Sequence, residues 1–146
     1  MKIKKVRKVQ TPSRGTSRSA GIDFFVPEDF PPTIIEPGSS VVIPSGIIAN
    51  VPKGYALIAF NKSGIAVKRK LQVGACVVDE DYQGEIHINL GNIGNKPVGI
   101  APNEKVVQFI LIPVFYDKIE VVKDGEELFE NITERGTGWK GSTGTK

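Results

Sequence analysis

Lysine and serine stand together in Asn61-Lys62-Ser63-Gly64, an ammonium and a hydroxyl just ahead of a glycine. If the following residues, SGIAVKRK (63–70), open a helix of one or two turns, its first N–H groups suit phosphate oxygens. A second stretch, VGACVVDEDYQGEIHINL (73–90), runs as an apolar strand into Asp79, continues polar or aromatic to Tyr82, and turns at Gln83-Gly84. This pattern predicts a β-hairpin with a carboxylate and a phenol ring at its mouth. The same residues also read as a plain turn, stabilised by Asp79 and Asp81, with Tyr82 packed on the surface. Taken alone, the stretch leaves both readings open.

Other residues add weight to a site. SAGIDFF sets Asp23 straight after a bend of small residues, and NEKVVQFI holds a lone amide, Gln108, inside an apolar strand. The chain then ends in RGTGWKGSTGTK (135–146), which fits two phosphate-binding patterns on paper. One is Gly136-x-Gly138-x-x-Gly141; the other is a P-loop-like glycine spacing without its lysine. Both require a strand before the glycines and a helix after them, and only residues 142–146 follow Gly141, so both fail on context. A disordered polar terminus is the plain alternative for such a tail. Arg135 and Trp139 embedded in it argue against that alternative.

These groups have to be positioned by strands. Glycine and proline punctuate short β-branched runs at 40–44, 46–51, 55–60, 76–78, 85–90 and 106–115. EIHINL (85–90) alternates with the period of a half-buried strand. Short strands with frequent turn signals predict an all-β sandwich, jelly roll or barrel. Helix is expected only at 63–70 and, weakened by Gly125, at 124–129. From about Asn131 the apolar density collapses, so 1–130 is read as the β domain and 131–146 as a mobile glycine-rich arm attached to it.

With 146 residues, one domain burying about two thirds of its unfolded surface is expected. The net charge of +3 mildly favours small anionic ligands and makes no argument for nucleic acid. One cysteine, Cys76, excludes an intrachain disulfide and a cysteine-rich zinc site; it reads as a small buried hydrophobe. His87, the one histidine, reads as a packing or backbone group, since no further ligands accompany it. MKIKKVRKVQ has a basic region without an apolar one behind it, so no signal peptide is expected, and no apolar run suits a membrane span. The expected location is the cytosol, or the nucleus in a eukaryotic cell.

Five motifs in order carry a family resemblance: SAGID (19–23), NKSGIA (61–66), VGACVVDEDYQGE (73–85), NEKVVQFI (103–110) and RGTGWKGSTG (135–144). Together they resemble the all-β, trimeric deoxyuridine triphosphatase family, with a jelly-roll-like β-clip fold, from about Ser19 onward. The third and fifth motifs are specific; the others alone are weak. The resemblance implies hydrolysis of dUTP to dUMP and pyrophosphate, which removes dUTP and supplies dUMP for thymidylate synthesis. It also implies Mg²⁺ held by the triphosphate and water, with no metal ligand set on the chain, and a homotrimer with sites between subunits.

Carried over position by position, Asp79 matches the carboxylate that orients and deprotonates the attacking water. Tyr82 matches the ring that lies on the deoxyribose and excludes a 2′-OH. The backbone around Cys76 and at Glu85, Ile86 and His87 matches the part that reads uracil. Lys62, Ser63, Gly64 and Gln108 match phosphate-contacting positions, and Asp23 matches an aspartate that supports the site. In the tail, Arg135, Trp139, Lys140, Gly141, Ser142 and Thr143 match a lid that closes over nucleotide; its glycines permit close backbone approach and Arg135 a bidentate phosphate contact.

This chain departs from the family pattern in four places. Lys62 stands for an arginine, Asn103-Glu104-Lys105 for Gly-Asp-Arg, Cys76 for a glycine, and Lys140 for an aromatic that stacks on the base, with Trp139 one place earlier. Cys76 and Lys140 add weight to hydrolysis of another or modified pyrimidine triphosphate. Other readings on this fold are a dCTP deaminase, which DEDYQG fits less well, and a regulatory protein that binds a partner.

Overall fold

The computed structural model describes residues 1–139. It separates into two compact units, Met1–Phe115 and a second that begins at Tyr116. The first is built almost wholly of strands: β1 (Lys2–Lys5), β2 (Ile22–Phe25), β3 (Thr33–Ile35), β4 (Ser40–Pro44), β5 (Ile47–Asn50), β6 (Tyr55–Asn61), β7 (Leu71–Val73), β8 (Val77–Val78), β9 (His87–Asn92), β10 (Val98–Ile100) and β11 (Lys105–Pro113). One helix, α1 (Ser63–Arg69), interrupts them and ends on Lys70 in the left-handed conformation.

All pairings are antiparallel. The four-stranded sheet runs β2-β11-β6-β8 and the three-stranded sheet β4-β9-β7, with two-stranded pairs β1-β5 and β10-β3. The chain is therefore all-β and jelly-roll-like, as its turn spacing predicts. Each sheet turns one face to a common core of Phe24, Ile43, Leu57, Leu71, Ile88, Leu90, Ile100 and Phe109. Phe24 and Phe109 pack on each other across β2 and β11, ring centroids 4.4 Å apart. Burying each of those rings contributes about 2–3 kcal/mol.

Periodicity explains most element choices. β9 alternates as expected, with Ile88, Leu90 and Asn92 buried and His87 outside. Asn92 is tolerated in the core because its Nδ2 donates to the Ile35 and Lys96 carbonyls, 2.8 Å each. In β11 the alternation breaks at Val106 and Val107, which are both buried. The register to β2 shifts at that point, and the bulge turns two successive side chains inward.

Two expectations are corrected. Residues 124–129 form a turn at Gly125 (φ 89°), not a helix, because that glycine adopts a backbone conformation outside the helical region. The arms around Gln83-Gly84 also do not pair as a two-stranded hairpin: β8 joins β6, whereas β9 joins β4 and β7. The returning arm is drawn away at Ile86, whose N–H donates to Ile47 O and whose C=O accepts from Ser45 N, both at 2.9 Å. Among the described residues no helix is long and apolar enough to cross a membrane.

Candidate active site

A cavity of about 180 Å³ opens where β8 hands over to the 79–86 turn, lined by Cys76, Asp79, Tyr82, Ile86, His87 and Phe109 among others. Val78 is buried against Leu57, its partner in β6, so the next side chain, Asp79, emerges at the cavity and is exposed. Its carboxylate has no hydrogen-bond or ion-pair partner among the described residues. Tyr82 N donates to Asp79 O at 3.3 Å, closing the turn between them.

The Tyr82 ring is held from two sides. Its hydroxyl donates to Glu85 O at 2.9 Å. Its flat side lies against Gly84, where an added Cβ would sit 2.5 Å from Tyr82 Oη and 2.7 Å from Cζ. Only glycine leaves room for the ring there. His87 Nδ1 donates to the same Glu85 carbonyl at 2.9 Å, so both rings at this wall of the cavity hang from one acceptor.

Glu85 is itself anchored. Its Oε1 accepts from Gly46 N at 2.7 Å and from Arg7 Nε at 2.8 Å, and Oε2 lies 3.4 Å from Arg7 Nη2. Burial pushes the Glu85 carboxyl up, but the Arg7 and Gly46 hydrogen bonds and the Arg7 charge together hold it below its ordinary value. The Arg7 guanidinium is correspondingly raised by Glu85 and Asp29.

Several backbone groups expected to meet a base edge have partners inside the chain. Cys76 O accepts from Ala59 N at 2.8 Å, Ile86 uses both its groups toward 45–47, and Glu85 O carries the two rings. His87 differs: β4 bonds β9 at Ser39–Asn92 and next to it at Ser45–Ile86, so Pro44–His87 is a non-hydrogen-bonded pair and the His87 carbonyl turns away from β4, beyond the end of β7 at Val73. Cys76 is half-buried, not fully enclosed, because β8 is short and its thiol lies on the cavity wall.

A second cluster forms on β2, β11 and β6. Gln108 is opposite both Asp23 and Phe60 in the register. Asp23, 6% exposed, places Oδ1 2.6 Å from Lys62 Nζ and Oδ2 3.4 Å from Lys105 Nζ. Lys105 also lies 5.3 Å above the Phe25 ring. Gln108 packs against Gly21 and donates Nε2 to Asn61 O at 2.8 Å. Ser63 and Gly64 follow at the exposed first turn of α1. The first, second and fourth motifs are thus brought together: an excess of positive charge, an amide and a helix start.

The two clusters are not one pocket in a single chain. Neither Asp23, Lys62, Ser63 nor Gln108 lines the cavity. The cavity reaches β6 at Ala59, whose N–H donates to Cys76 O and which is registered with Phe109, three residues or about 10 Å of strand before Lys62.

In the second unit, Arg135 Nε donates to Gly138 O at 3.1 Å and Gly136 N to Thr133 O at 2.9 Å, a local turn. Trp139 is 84% exposed. Lys140, Gly141, Ser142 and Thr143 lie outside the described residues.

Arg7 is a site-adjacent residue that sequence reasoning passed over, and Lys105, noted there only as a departure from the fourth motif, is a partner of Asp23. A buried aspartate demands cations, which was the available signal for Lys105. Arg7 carried none, since it stands among other basic residues and its partner is 78 positions away.

Comparison with known proteins identifies the family. The family model described as dUTPase matches residues 7–144. The deoxyuridine 5′-triphosphate nucleotidohydrolase of Fowlpox virus is 35% identical over 139 residues, 95% of this chain and 92% of that protein. A mutant of the Staphylococcus bacteriophage 80alpha dUTPase with dUpNHpp shares the fold at TM-score 0.83 and 23% identity, over 99% of this chain and 98% of that one. So does a dUTPase of phage phi11 of S. aureus, described with a structural Mg(II) ion, at TM-score 0.75 and 20% identity, over 86% and 98%. The chain belongs to the dUTPase family.

Proposed function

We propose that this chain hydrolyses dUTP to dUMP and pyrophosphate, with Asp79 as the base. The observation that carries the reading is an unpartnered carboxylate on a cavity that the clamped Tyr82 ring also lines. Asp79 takes a proton from water as that oxygen bonds to the α-phosphorus. The bond from α-phosphorus to the bridging oxygen breaks, and pyrophosphate leaves with the electron pair. A base positioned in this way contributes about 10²–10⁴-fold.

Tyr82 lies against the deoxyribose, where a 2′-OH collides with the fixed ring. The His87 carbonyl, which turns away from β4, and the backbone near Cys76 meet the uracil edge. Cytosine presents the opposite donor pattern and leaves such groups unpaired, at about 1–3 kcal/mol each. Lys62, Ser63, Gly64 and Gln108 hold the phosphates, with Asp23 behind them. Arg135 and Trp139, from the fifth motif, complete the binding of nucleotide in this reading.

The separation of the phosphate cluster from the cavity supports a site assembled from more than one copy, in a homotrimer. Both Asp23 oxygens face ammonium groups, which suits a supporting role and not direct metal ligation. In this reading Mg²⁺ would be held by the triphosphate and water, and would supply neutralisation of charge on the leaving pyrophosphate. No contact with nucleic acid or membrane is part of this reading, and the cytosol or nucleus is where such a nucleotide pool lies.

The test is a panel of dUTP, UTP, dCTP and dTTP with Mg²⁺ or with chelator, scored for pyrophosphate. Release from dUTP, well above the other three and lost with chelator, is expected. Ammonia from dCTP, or no pyrophosphate from dUTP, overturns the reading.

A further inference from the structure

We propose that Arg7 is a positioning residue for sugar selection: through Glu85 it fixes the Tyr82 ring. The proposal rests on the function above for its consequence, though not for its geometry.

The path is short and continuous. Arg7 grips both carboxylate oxygens of Glu85 and reaches Asp29 Oδ2 at 3.1 Å with its remaining nitrogen. The planar guanidinium is suited to this two-sided hold, which fixes orientation as well as position. Gly46 N adds a third bond to Glu85. With its side chain tied at these points, Glu85 has little freedom to swing its own carbonyl. That carbonyl is the acceptor for Tyr82 Oη and His87 Nδ1.

Arg7 is delivered to this point by the fold. β1 pairs with β5, and beyond the pairing Val6 N donates to Gly46 O at 2.8 Å. Gly46 has φ 73°, and a Cβ there would come 3.0 Å from Arg7 Cβ and 2.8 Å from Val9 Cγ1. The N-terminal segment is thereby seated on the Gly46 turn with Arg7 aimed at Glu85. Arg7 does not line the cavity, so its effect on substrate passes through the ring. A ring that can tilt off Gly84 makes room for a 2′-OH.

The experiment compares Arg7→Ala and Arg7→Lys with the unmodified protein in two readouts. The first is the ratio of kcat/KM for dUTP to that for UTP. The second is the NMR spectrum of protein labelled on the tyrosine rings, with Tyr82 assigned through Tyr82→Phe. Arg7→Ala is expected to lower the dUTP/UTP ratio by roughly three- to tenfold, and to shift or broaden the Tyr82 signal while leaving Tyr55 in place. Lysine, a single ammonium nitrogen without the planar fork, restores part of both. An unmoved Tyr82 signal, or an unchanged ratio with merely lower thermal stability, overturns the proposal. If the unmodified protein releases no pyrophosphate from dUTP, the function fails; the ring signal still decides whether Arg7 holds Tyr82.

Discussion

The ammonium of Lys62 lies 2.6 Å from the buried carboxylate of Asp23. Lys105 approaches the other oxygen at 3.4 Å, so one anion holds two cations and a net positive charge remains beside Gln108. An anion that arrived there would meet counter-charges already oriented by the aspartate.

Asp23→Asn should therefore act on binding before chemistry. The lysines lose their common anchor, and the KM for dUTP is expected to rise by about five- to fiftyfold with a smaller fall in kcat. Stability should fall by about 1–2 kcal/mol in urea titrations, less than for a fully enclosed pair, because the lysines are 27% and 45% exposed. A kcat loss as large as the KM change would assign Asp23 to the chemical step.

Asp79 calls for the opposite outcome. Its carboxylate is exposed and supports no other group, so Asp79→Asn should leave the thermal midpoint within about 1 °C. Turnover should drop at least about a hundredfold while a non-hydrolysable dUTP analogue still binds. Near-normal turnover removes Asp79 as the base.

Gly84→Ala tests the ring by steric means. A methyl group 2.5 Å from Tyr82 Oη must displace the phenol and break its bond to Glu85 O. Steady-state kinetics on dUTP and UTP should show the preference for the deoxy sugar reduced by about tenfold or more. Retained preference would mean that the sugar is selected elsewhere.

The barrel and much of the site were legible in the residues, for identifiable reasons. β4 falls where SVVIP predicts it, because alternation and flanking turns act locally. β1, β2, β3, β7 and β10 were passed over. KIKK is fully exposed, and TII, LQV and VGI are too short for a period to register. Their strand character comes from partners distant in sequence, as when Lys2–Lys5 pairs with 47–50. The same limit hid Arg7 and the pairing of Lys105 with Asp23, which arise from contacts distant in sequence. Asp79 and Tyr82 were readable because their spacing on one turn is itself local.

Removal of residues 135–146 separates folding from activity. The core of the first unit, from Val9 to Phe109, contains none of these residues, so circular dichroism and the melting transition should be nearly unchanged. Hydrolysis should fall at least about a hundredfold if Arg135 and the glycines complete the site. Full activity in the truncated protein ends the lid reading.

The Glu85 anchor predicts an acid limit with a definite sign. Its carboxyl is held below the ordinary 4.5, so the folded state binds the proton less readily than the unfolded chain. Its contribution to stability is complete above about pH 4.5 and is lost as pH falls through the lower folded value. Glu85→Gln cannot titrate and has already lost the charge that grips Arg7. The difference in melting temperature between the two proteins should be widest near neutrality and shrink as pH falls below 4.5. A difference that stays constant across that range would mean that Glu85 contributes through packing and its neutral hydrogen bonds, and that Arg7 grips it no more firmly when it is charged.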